Sequence, residues 1–298
     1  MTPQPEISGY VTVQRGIRLY YRKLGTGSRT LVIPNGLILM DDFQRFASER
    51  SVIFYDVRNR GQSDPVEDAA SLAGGIHNDV EDLESLRTHF KLHTLDLIGH
   101  SYLGLMVILY AIKYPGRARR IVQIGPSQPD PRKTYPPELT VTDNVMAETF
   151  GQLALLEHEL SGADPVDRCR KSWWALRRIY VVDPANAEKL NWIRCELPNE
   201  RNFRKYWMEH LLPPIRNLRF SNADFAKVTA PVLAIHGTHD RAAPYGGGRD
   251  WAIGLPNARL LTVPHAGHAP WIESPGVLDS IEKFLTGTWP AEATKPKG

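Results

Sequence analysis

Residues 95–104 read Leu-Asp-Leu-Ile-Gly-His-Ser-Tyr-Leu-Gly, and this stretch decides the fold. The four residues before Gly99 form a short β-rich run that predicts a buried strand. The apolar residues from Leu103 to Tyr114 predict a helix that follows directly. Ser101 therefore stands in the turn between a strand and a helix. Such a turn holds a serine hydroxyl clear of the sheet only when it is tight, and tightness requires small residues such as Gly99 and Gly104.

The rest of the chain repeats this alternation of short β-rich runs and helix-like segments. The runs predict strands at 11–13, 19–22, 31–33, 52–55, 95–98, 121–124, 231–235 and 258–263. Helical spacing or apolar runs predict helices at 41–50, 79–90, 103–114 and 278–285. Strands separated by helices are typical of βαβ units. We therefore expect an α/β fold with a mostly parallel sheet and helices on both faces.

The alternation stops in the middle of the chain, where residues 127–223 show little strand signal. This part holds four tryptophans, several arginines and a helix-like run at 146–160. We interpret it as a helical insertion in an α/β core. The expected parts are a first core segment at 1–126, the helical insertion at 127–224, and a second core segment at 225–298.

Composition limits the classes of partner. The chain has 298 residues and a formal net charge of +3, which is small for this length and does not favour nucleic acid or an anionic membrane. No apolar run approaches the ~20 residues of a membrane helix, and residues 1–6 do not resemble a secretory signal. The Pro-, Ala- and Lys-containing end at 289–298 predicts a frayed tail.

Two cysteines, Cys169 and Cys195, lie in the helical insertion. Two cysteines are too few for a disulfide framework, although one bridge remains open. We expect unpaired, partly buried thiols, which fit a reducing cytoplasm.

Two loops downstream supply an acid and a base. Asp240 follows the predicted strand at 231–235, and His268 follows the next strand along the chain. Because each residue comes after a strand of a parallel sheet, both should meet Ser101 at one edge of the sheet. Two alternatives stay open: His265 as the base and Asp130 as the acid.

These motifs together resemble the α/β-hydrolase superfamily over nearly the whole chain. Residues 55–64 resemble the D-x-R-x-x-G-x-S loop of many members, residues 237–244 their acid loop, and residues 267–270 their histidine loop. A serine at position 101 is similar to esterases, lipases, C–C bond hydrolases and proline iminopeptidase-like peptidases. Haloalkane dehalogenases and epoxide hydrolases carry aspartate there. The resemblance implies an α/β-hydrolase fold with a helical cap after the sixth strand.

The chain departs from the superfamily pattern in two places. Leu103 stands where G-x-S-x-G has its second glycine, and the glycine comes one residue later. If Leu103 distorts the turn, Ser101 is misplaced. Many relatives also carry His-Gly where this chain has Asn35-Gly36, which leaves the donor in that loop open.

The resemblance implies a catalytic triad. Ser101 is the expected nucleophile, His268 the base that takes its proton, and Asp240 the acid that orients the imidazole. The expected oxyanion donors are the backbone amides of Leu37 and Tyr102. No cofactor is expected. No metal site is expected either, because the pair His236 and His239 lacks a third ligand.

The helical insertion is the expected specificity element. Candidate substrate-binding residues are Asn35, His100, Trp173, Glu196 and Glu200. The two glutamates lie one helical turn apart, and the resemblance to proline iminopeptidase-like enzymes implies that they could bind a substrate amine, but a solvated helix face is the favoured interpretation of them. His100 and the tryptophans also fit simple packing, and the arginines of the insertion would favour an acidic substrate.

The expected function is hydrolysis of a small carboxylic ester or amide through an acyl-serine intermediate. The alternatives are a proline iminopeptidase-like peptidase, a C–C bond hydrolase acting on a β-diketone, a cofactor-free perhydrolase, and a ligand-binding protein on a hydrolase scaffold. The expected partner is a small molecule, and the oligomeric state stays open.

Overall fold

One eight-stranded sheet organises the computed structural model, which describes residues 6–297. The strands are β1 (Glu6–Thr12), β2 (Arg18–Leu24), β3 (Thr30–Pro34), β4 (Ser51–Tyr55), β5 (Leu95–His100), β6 (Ala118–Ile124), β7 (Val232–Gly237) and β8 (Ala258–Val263). Their spatial order is β1-β2-β4-β3-β5-β6-β7-β8. β1 and β2 pair antiparallel, as do β2 and β4, and the other neighbours pair parallel. The predicted mostly parallel sheet is confirmed. The predicted lack of a signal at the N-terminus falls mainly on residues 1–5, outside the described residues.

Helices cover both faces of this sheet, which is why every residue of β4, β5 and β7 is buried. The helices are α1 (Gly36–Phe43), α2 (Ala69–Leu72), α3 (Ile76–His89), α4 (Tyr102–Lys113), α5 (Val145–Glu159), α6 (Pro165–Leu176), α7 (Pro198–Tyr206), α8 (Leu212–Asn217), α9 (Asn222–Ala226), α10 (Tyr245–Gly254), α11 (Pro270–Glu273) and α12 (Gly276–Thr286). In α4 every residue from Tyr102 to Ala111 is buried, so this helix is enclosed on all sides. No helix among residues 6–297 is long and apolar enough to cross a membrane.

Parallel register brings the strand ends to one edge of the sheet. Leu31 of β3 pairs with Asp96 of β5. Continuing this register places the residues after β3 beside the turn at Ser101, which follows β5. The residues that follow β6, β7 and β8 leave the sheet at the same edge, because these strands are parallel to β5.

The first helix differs from its prediction. A helix was predicted at 41–50, but α1 begins at Gly36 and a 3₁₀ turn follows at Gln44–Ser48. The left-handed backbone of Asn35 (φ 64°) turns the chain from β3 directly into α1. A hydrophobicity pattern does not reveal such a backbone reversal at a single residue.

The helices α5 to α9 all lie between β6 and β7, and no named strand occurs within residues 127–224 of the described chain. The helical insertion therefore leaves and re-enters the core at neighbouring strands, since β6 pairs with β7. The boundaries 1–126, 127–224 and 225–298 remain predictions.

The C-terminal segment is docked, and the prediction of a frayed tail is wrong for the residues up to 297. Thr294 exchanges two backbone hydrogen bonds with Leu260 of β8, at 2.7 and 2.9 Å. Ala293 is buried, and Lys295 donates to the carbonyl of Leu255. β8 is the edge strand of the sheet, so its free side offers backbone groups that this segment satisfies.

The two cysteines form a disulfide, so the prediction of free thiols is wrong. Cys169 of α6 bonds to Cys195, with 5.7 Å between the Cα atoms. Spacing of 26 residues along the chain does not reveal this contact, because it depends on how α6 packs against the segment before α7. The argument for a reducing cytoplasm that rested on free thiols no longer applies.

We expect reduction of this disulfide to lower the free energy of unfolding by about 3 kcal/mol, the chain-entropy value for a loop of this size. Urea unfolding with and without a dithiol reductant measures the difference. The double variant Cys169→Ser, Cys195→Ser is the control and should be insensitive to reductant. Equal stability of the oxidised and reduced wild type would contradict the expectation.

Candidate active site

The turn at Ser101 is a strained elbow between β5 and α4. Ser101 has φ 61° and ψ −130°, a conformation that residues other than glycine rarely adopt. Its amide donates to the carbonyl of Ile124 at 2.9 Å, which fixes the elbow to the end of β6. The side chain is partly exposed at the edge of the sheet. Strain of this kind is concentrated at functional sites.

Leu103 does not occupy the space that the elbow keeps small. A Cβ atom added to Gly99 would lie 2.2 Å from the carbonyl oxygen of Leu103, and one added to Gly104 would lie 3.0 Å from Cβ of Pro126. The Leu103 side chain is itself buried in the core. The close approaches are therefore made at Gly99 and Gly104, and the elbow conformation at Ser101 is present with leucine at position 103.

A buried carboxylate and an imidazole meet beside the elbow. Asp240 Oδ2 lies 2.7 Å from Nδ1 of His268, and the two side chains are almost fully buried. Oδ1 of Asp240 accepts from the backbone amides of Ala242 and Ala243, each at 2.8 Å. Burial opposes ionisation of this carboxyl, but the charge of His268 and the hydrogen bonds from His236 and His268 outweigh it. The pKa of Asp240 is therefore lowered below its usual range.

Two residues along the sheet edge, Gly125 and His100, relate the Asp240–His268 pair to the turn at Ser101. A Cβ atom on Gly125, just after β6, would lie 2.9 Å from His268 Nδ1 and 3.0 Å from Asp240 Oδ2. The ring of His100, the residue before Ser101, lies 4.5 Å from the ring of His268 between centroids. The structure thus joins the predicted aspartate and histidine directly, and the residue before the predicted serine contacts that histidine.

The two alternative residues lie elsewhere. His265 is exposed, and its ring is close to that of His239. Asp130 accepts hydrogen bonds from the backbone and the guanidinium of Arg132, near the surface. The structure joins His268, rather than His265, to Asp240.

The two expected oxyanion donors differ in their availability. Tyr102 is the first residue of α4, so its amide has no partner one turn earlier in the helix. The amide of Leu37 instead donates to Oδ1 of Asp56 at 2.8 Å, so the expectation of a free donor at Leu37 is corrected. Burial raises the pKa of Asp56 to about 6, although the amides of Gln62 and Leu37 act against this rise.

Three aromatic side chains of the helical insertion, Trp173, Tyr180 and Trp192, form a roof beside the histidines. The Tyr180 ring lies 5.6 Å from the His268 ring, and the Trp192 ring lies 5.5 Å from the His100 ring. Trp173 packs against both Tyr180 and Trp192 at 5.8 and 6.0 Å. Trp173 thus belongs to a packed aromatic cluster close to the site.

His100 and Asn35, two candidate substrate contacts, are both buried. Nε2 of His100 lies 2.9 Å from the backbone carbonyl of His268, so this ring holds the histidine loop and does not offer Nε2 to a substrate. Burial lowers the pKa of His100 to about 3. Asn35 Oδ1 is buried without a hydrogen-bond partner among the described residues.

Glu200 is not available to a substrate amine, which corrects its expected role. Its carboxylate accepts two hydrogen bonds from the guanidinium of Arg60, both at 2.9 Å, and one from the amide of Gly61 at 2.8 Å. Both side chains are buried. Glu196 lies in the turn before α7, outside the helix, and is exposed. Glu200 therefore joins the helical insertion to the loop after β4, and the helical spacing of the two glutamates did not indicate a shared site.

His236, which the sequence indicated only as one of a histidine pair without a third metal ligand, contacts the buried carboxylate of the site. Its Nε2 lies 3.1 Å from Asp240 Oδ2, so two imidazoles contact one carboxylate oxygen. The sequence signal was the run Gly246-Gly247-Gly248 at the start of α10. Glycine disfavours helices, so three in succession indicate that something must pack closely there.

Comparison with known proteins agrees with this fold. A family model described as alpha/beta hydrolase fold matches residues 30–275. The chain therefore belongs to the alpha/beta hydrolase fold family, and the predicted membership is confirmed.

Individual relatives differ in their stated activities. A 2-hydroxy-6-oxononadienedioate/2-hydroxy-6-oxononatrienedioate hydrolase of Dechloromonas aromatica is 24% identical over 94% of this chain and 95% of its own length. A proline iminopeptidase of Saccharolobus solfataricus is 32% identical over 36% of this chain and 37% of its own. The solved structure of an esterase from Exiguobacterium antarcticum superposes with a TM-score of 0.71 at 14% identity, covering 94% of this chain and all of that one.

We expect Gly99→Ala to destabilise the protein strongly, because its Cβ would lie 2.2 Å from a backbone oxygen and would separate β5 from α4. Gly151→Ala is the matched control, since nothing lies within 4 Å of that position on α5. It should raise the free energy of unfolding by about 0.5–1 kcal/mol. Chemical unfolding of both variants measures this contrast, and similar stability of the two would show that the elbow tolerates a side chain.

We expect Glu200→Gln to lower the free energy of unfolding by about 3–5 kcal/mol, because it leaves the Arg60 guanidinium buried without its counter-charge. The exposed Glu196→Gln is the control and should change stability by less than about 0.5 kcal/mol. Thermal and urea unfolding measure both. If Glu200→Gln were as stable as the wild type but bound substrate more weakly, Glu200 would again be assigned to the binding of a substrate amine.

Proposed function

We propose that this hydrolase cleaves small carboxylic esters through an acyl-enzyme intermediate on Ser101. The observation that carries the proposal is the 2.7 Å contact between His268 Nδ1 and Asp240 Oδ2 beside a strained serine elbow. With Nδ1 bonded to the carboxylate, Nε2 of His268 is the nitrogen left for the serine proton.

The proposed reaction has two halves. His268 takes the proton of Ser101 as its oxygen attacks the ester carbonyl, and the carbonyl oxygen becomes an oxyanion. When the intermediate collapses, the C–O bond breaks and His268 returns the proton to the leaving alcohol. A water then attacks the acyl-serine with His268 again as the base, which releases the acid and restores Ser101. Asp240 stabilises the imidazolium in both halves.

The oxyanion requires donors that point at the elbow. The Tyr102 amide at the start of α4 is the proposed donor, since the helix leaves it unpaired. The Leu37 amide already donates to Asp56, so the proposal assigns it no part in binding the oxyanion.

We also propose that the helical insertion acts as a cap that selects the substrate. The roof of Trp173, Tyr180 and Trp192 faces His100 and His268 with apolar ring surface. Trp192 Nε1 is buried without a partner among the described residues, and an unpaired buried donor is costly. A small acyl group with one hydrogen-bond acceptor fits these two properties.

We expect p-nitrophenyl esters of short acids to be hydrolysed, and Ser101→Ala to lower kcat by at least about four orders of magnitude. A fluorophosphonate probe should label the wild type at Ser101 and leave the variant unlabelled. Ser127→Ala, in the loop after β6, is the control and should be labelled normally. Ester turnover that survives Ser101→Ala would disprove the proposal.

Hydrolysis of a C–C bond in a β-diketone is the second candidate. One relative that spans nearly the whole chain is named as a 2-hydroxy-6-oxononadienedioate/2-hydroxy-6-oxononatrienedioate hydrolase, and this favours a C–C bond hydrolase as the second candidate. A panel of p-nitrophenyl esters, a β-diketone and a prolyl p-nitroanilide separates the candidates by kcat/KM. The buried Glu200–Arg60 pair removes one of the two glutamates on which the iminopeptidase alternative rested.

A further inference from the structure

A second histidine contacts the carboxylate of the proposed triad. His236 lies on β7, its side chain is fully buried, and its Nε2 lies 3.1 Å from Asp240 Oδ2. The same nitrogen lies 3.1 Å from the backbone carbonyl of Ala243. His268 approaches Oδ2 of Asp240 as well, at 2.7 Å. The two rings therefore share one carboxylate oxygen.

The contacts of His236 define its tautomer. A backbone carbonyl accepts hydrogen bonds only, and ionised Asp240 does the same. Nε2 of His236 must therefore carry the proton that it shares between them. Nδ1 is buried and has no hydrogen-bond partner among residues 6–297. His236 thus acts as a fixed donor toward Asp240.

Glycines in α10 leave the space that the His236 ring occupies, although glycine destabilises a helix. A Cβ atom on Gly248 would lie 2.3 Å from His236 Nδ1, so only glycine fits at this position of α10. Gly246 and Gly247 are packed in the same way against Tyr135 and Gln128. Each glycine in a helix costs about 1 kcal/mol relative to alanine. The close packing of α10 on His236 therefore depends on the glycines of this helix.

We propose that His236 is a positioning residue of the triad, which fixes the Asp240 carboxylate and shares the negative charge that Oδ2 presents to His268. The proposal rests on the proposed function of Ser101, His268 and Asp240. Loss of the His236 donor would leave more charge on Oδ2, and this charge favours the imidazolium form of His268. Less constraint on the carboxylate would also misorient the base.

Other titratable or charged groups face this cluster from the elements around it. They are His100 on β5, Tyr180 in the helical insertion, Arg60 in the loop after β4, and Tyr245 on α10. Burial lowers the pKa of His100 to about 3 and raises the pKa of Tyr180 to about 12. Neither group therefore contributes a titration near neutral pH to the kcat/KM profile.

The test compares two amide variants of different reach. His236→Gln places a side-chain N–H where Nε2 of the histidine lies, whereas His236→Asn is one methylene shorter and cannot reach Asp240. We expect His236→Asn to move the acidic limb of kcat/KM upward by about half to one pH unit and to lower kcat roughly tenfold at similar KM. His236→Gln should restore both toward wild type.

The matched control is His239→Gln in the loop after β7, because His239 bonds to Thr238 and not to Asp240. Its pH profile should equal that of the wild type. Labelling of Ser101 by the fluorophosphonate probe gives the active fraction of each variant, so misfolding is separated from a changed profile.

The outcomes separate the two proposals. Unchanged pH profiles in His236→Asn and His236→Gln, or equal shifts in both, would overturn the positioning role while Ser101→Ala still abolishes turnover. Turnover that survives Ser101→Ala would instead overturn the proposed function itself. Should His236→Asn not fold, His236→Leu, which also lacks the donor, takes its place. An upward displacement of its acidic limb that His236→Gln reverses supports the role, and equal profiles of the two variants contradict it.

Discussion

A carboxylate buried at the edge of the sheet must be surrounded by donors, and much of the arrangement around Asp240 follows from this requirement. Two backbone amides bind one oxygen, and the imidazoles of His236 and His268 bind the other. Three chain segments must therefore converge with little space between them. Gly237 allows this closure, because a Cβ atom there would lie 2.1 Å from the carbonyl oxygen of Ala266 in the histidine loop. Gly125 leaves the space in which His268 and Asp240 meet.

The helical insertion is joined to this edge by groups that are themselves satisfied. Glu200 pairs with Arg60 in the loop after β4, and Asn199 donates to three backbone carbonyls of that loop, of which the bond to Ser63 is the shortest at 2.7 Å. The same loop begins at Asp56, which holds the Leu37 amide. These hydrogen bonds connect the helical insertion, through the loop after β4, to the start of α1. The position of the insertion and the position of the Leu37 amide are therefore linked.

Most of the site was predictable because its residues follow strands. Ser101, Asp240 and His268 each come after a β-rich run, and parallel strands bring such residues together whatever the details of packing. Errors arose where a contact depends on residues distant in the chain. The roles expected for Glu200 and Leu37 failed because Arg60 and Asp56, 140 and 19 residues away, already bind them.

The sequence by itself determined the alternation of strands and helices, the mostly parallel sheet, the family, and the aspartate and histidine that are hydrogen-bonded to each other. These depend on local period and on chain order, which a sequence displays directly. Only the tertiary structure decided that Cys169 and Cys195 are bonded, and that His236 shares the carboxylate of Asp240. The physical reason is that burial, pairing and hydrogen-bond saturation are properties of neighbours in space, and those neighbours exist only once the chain has folded.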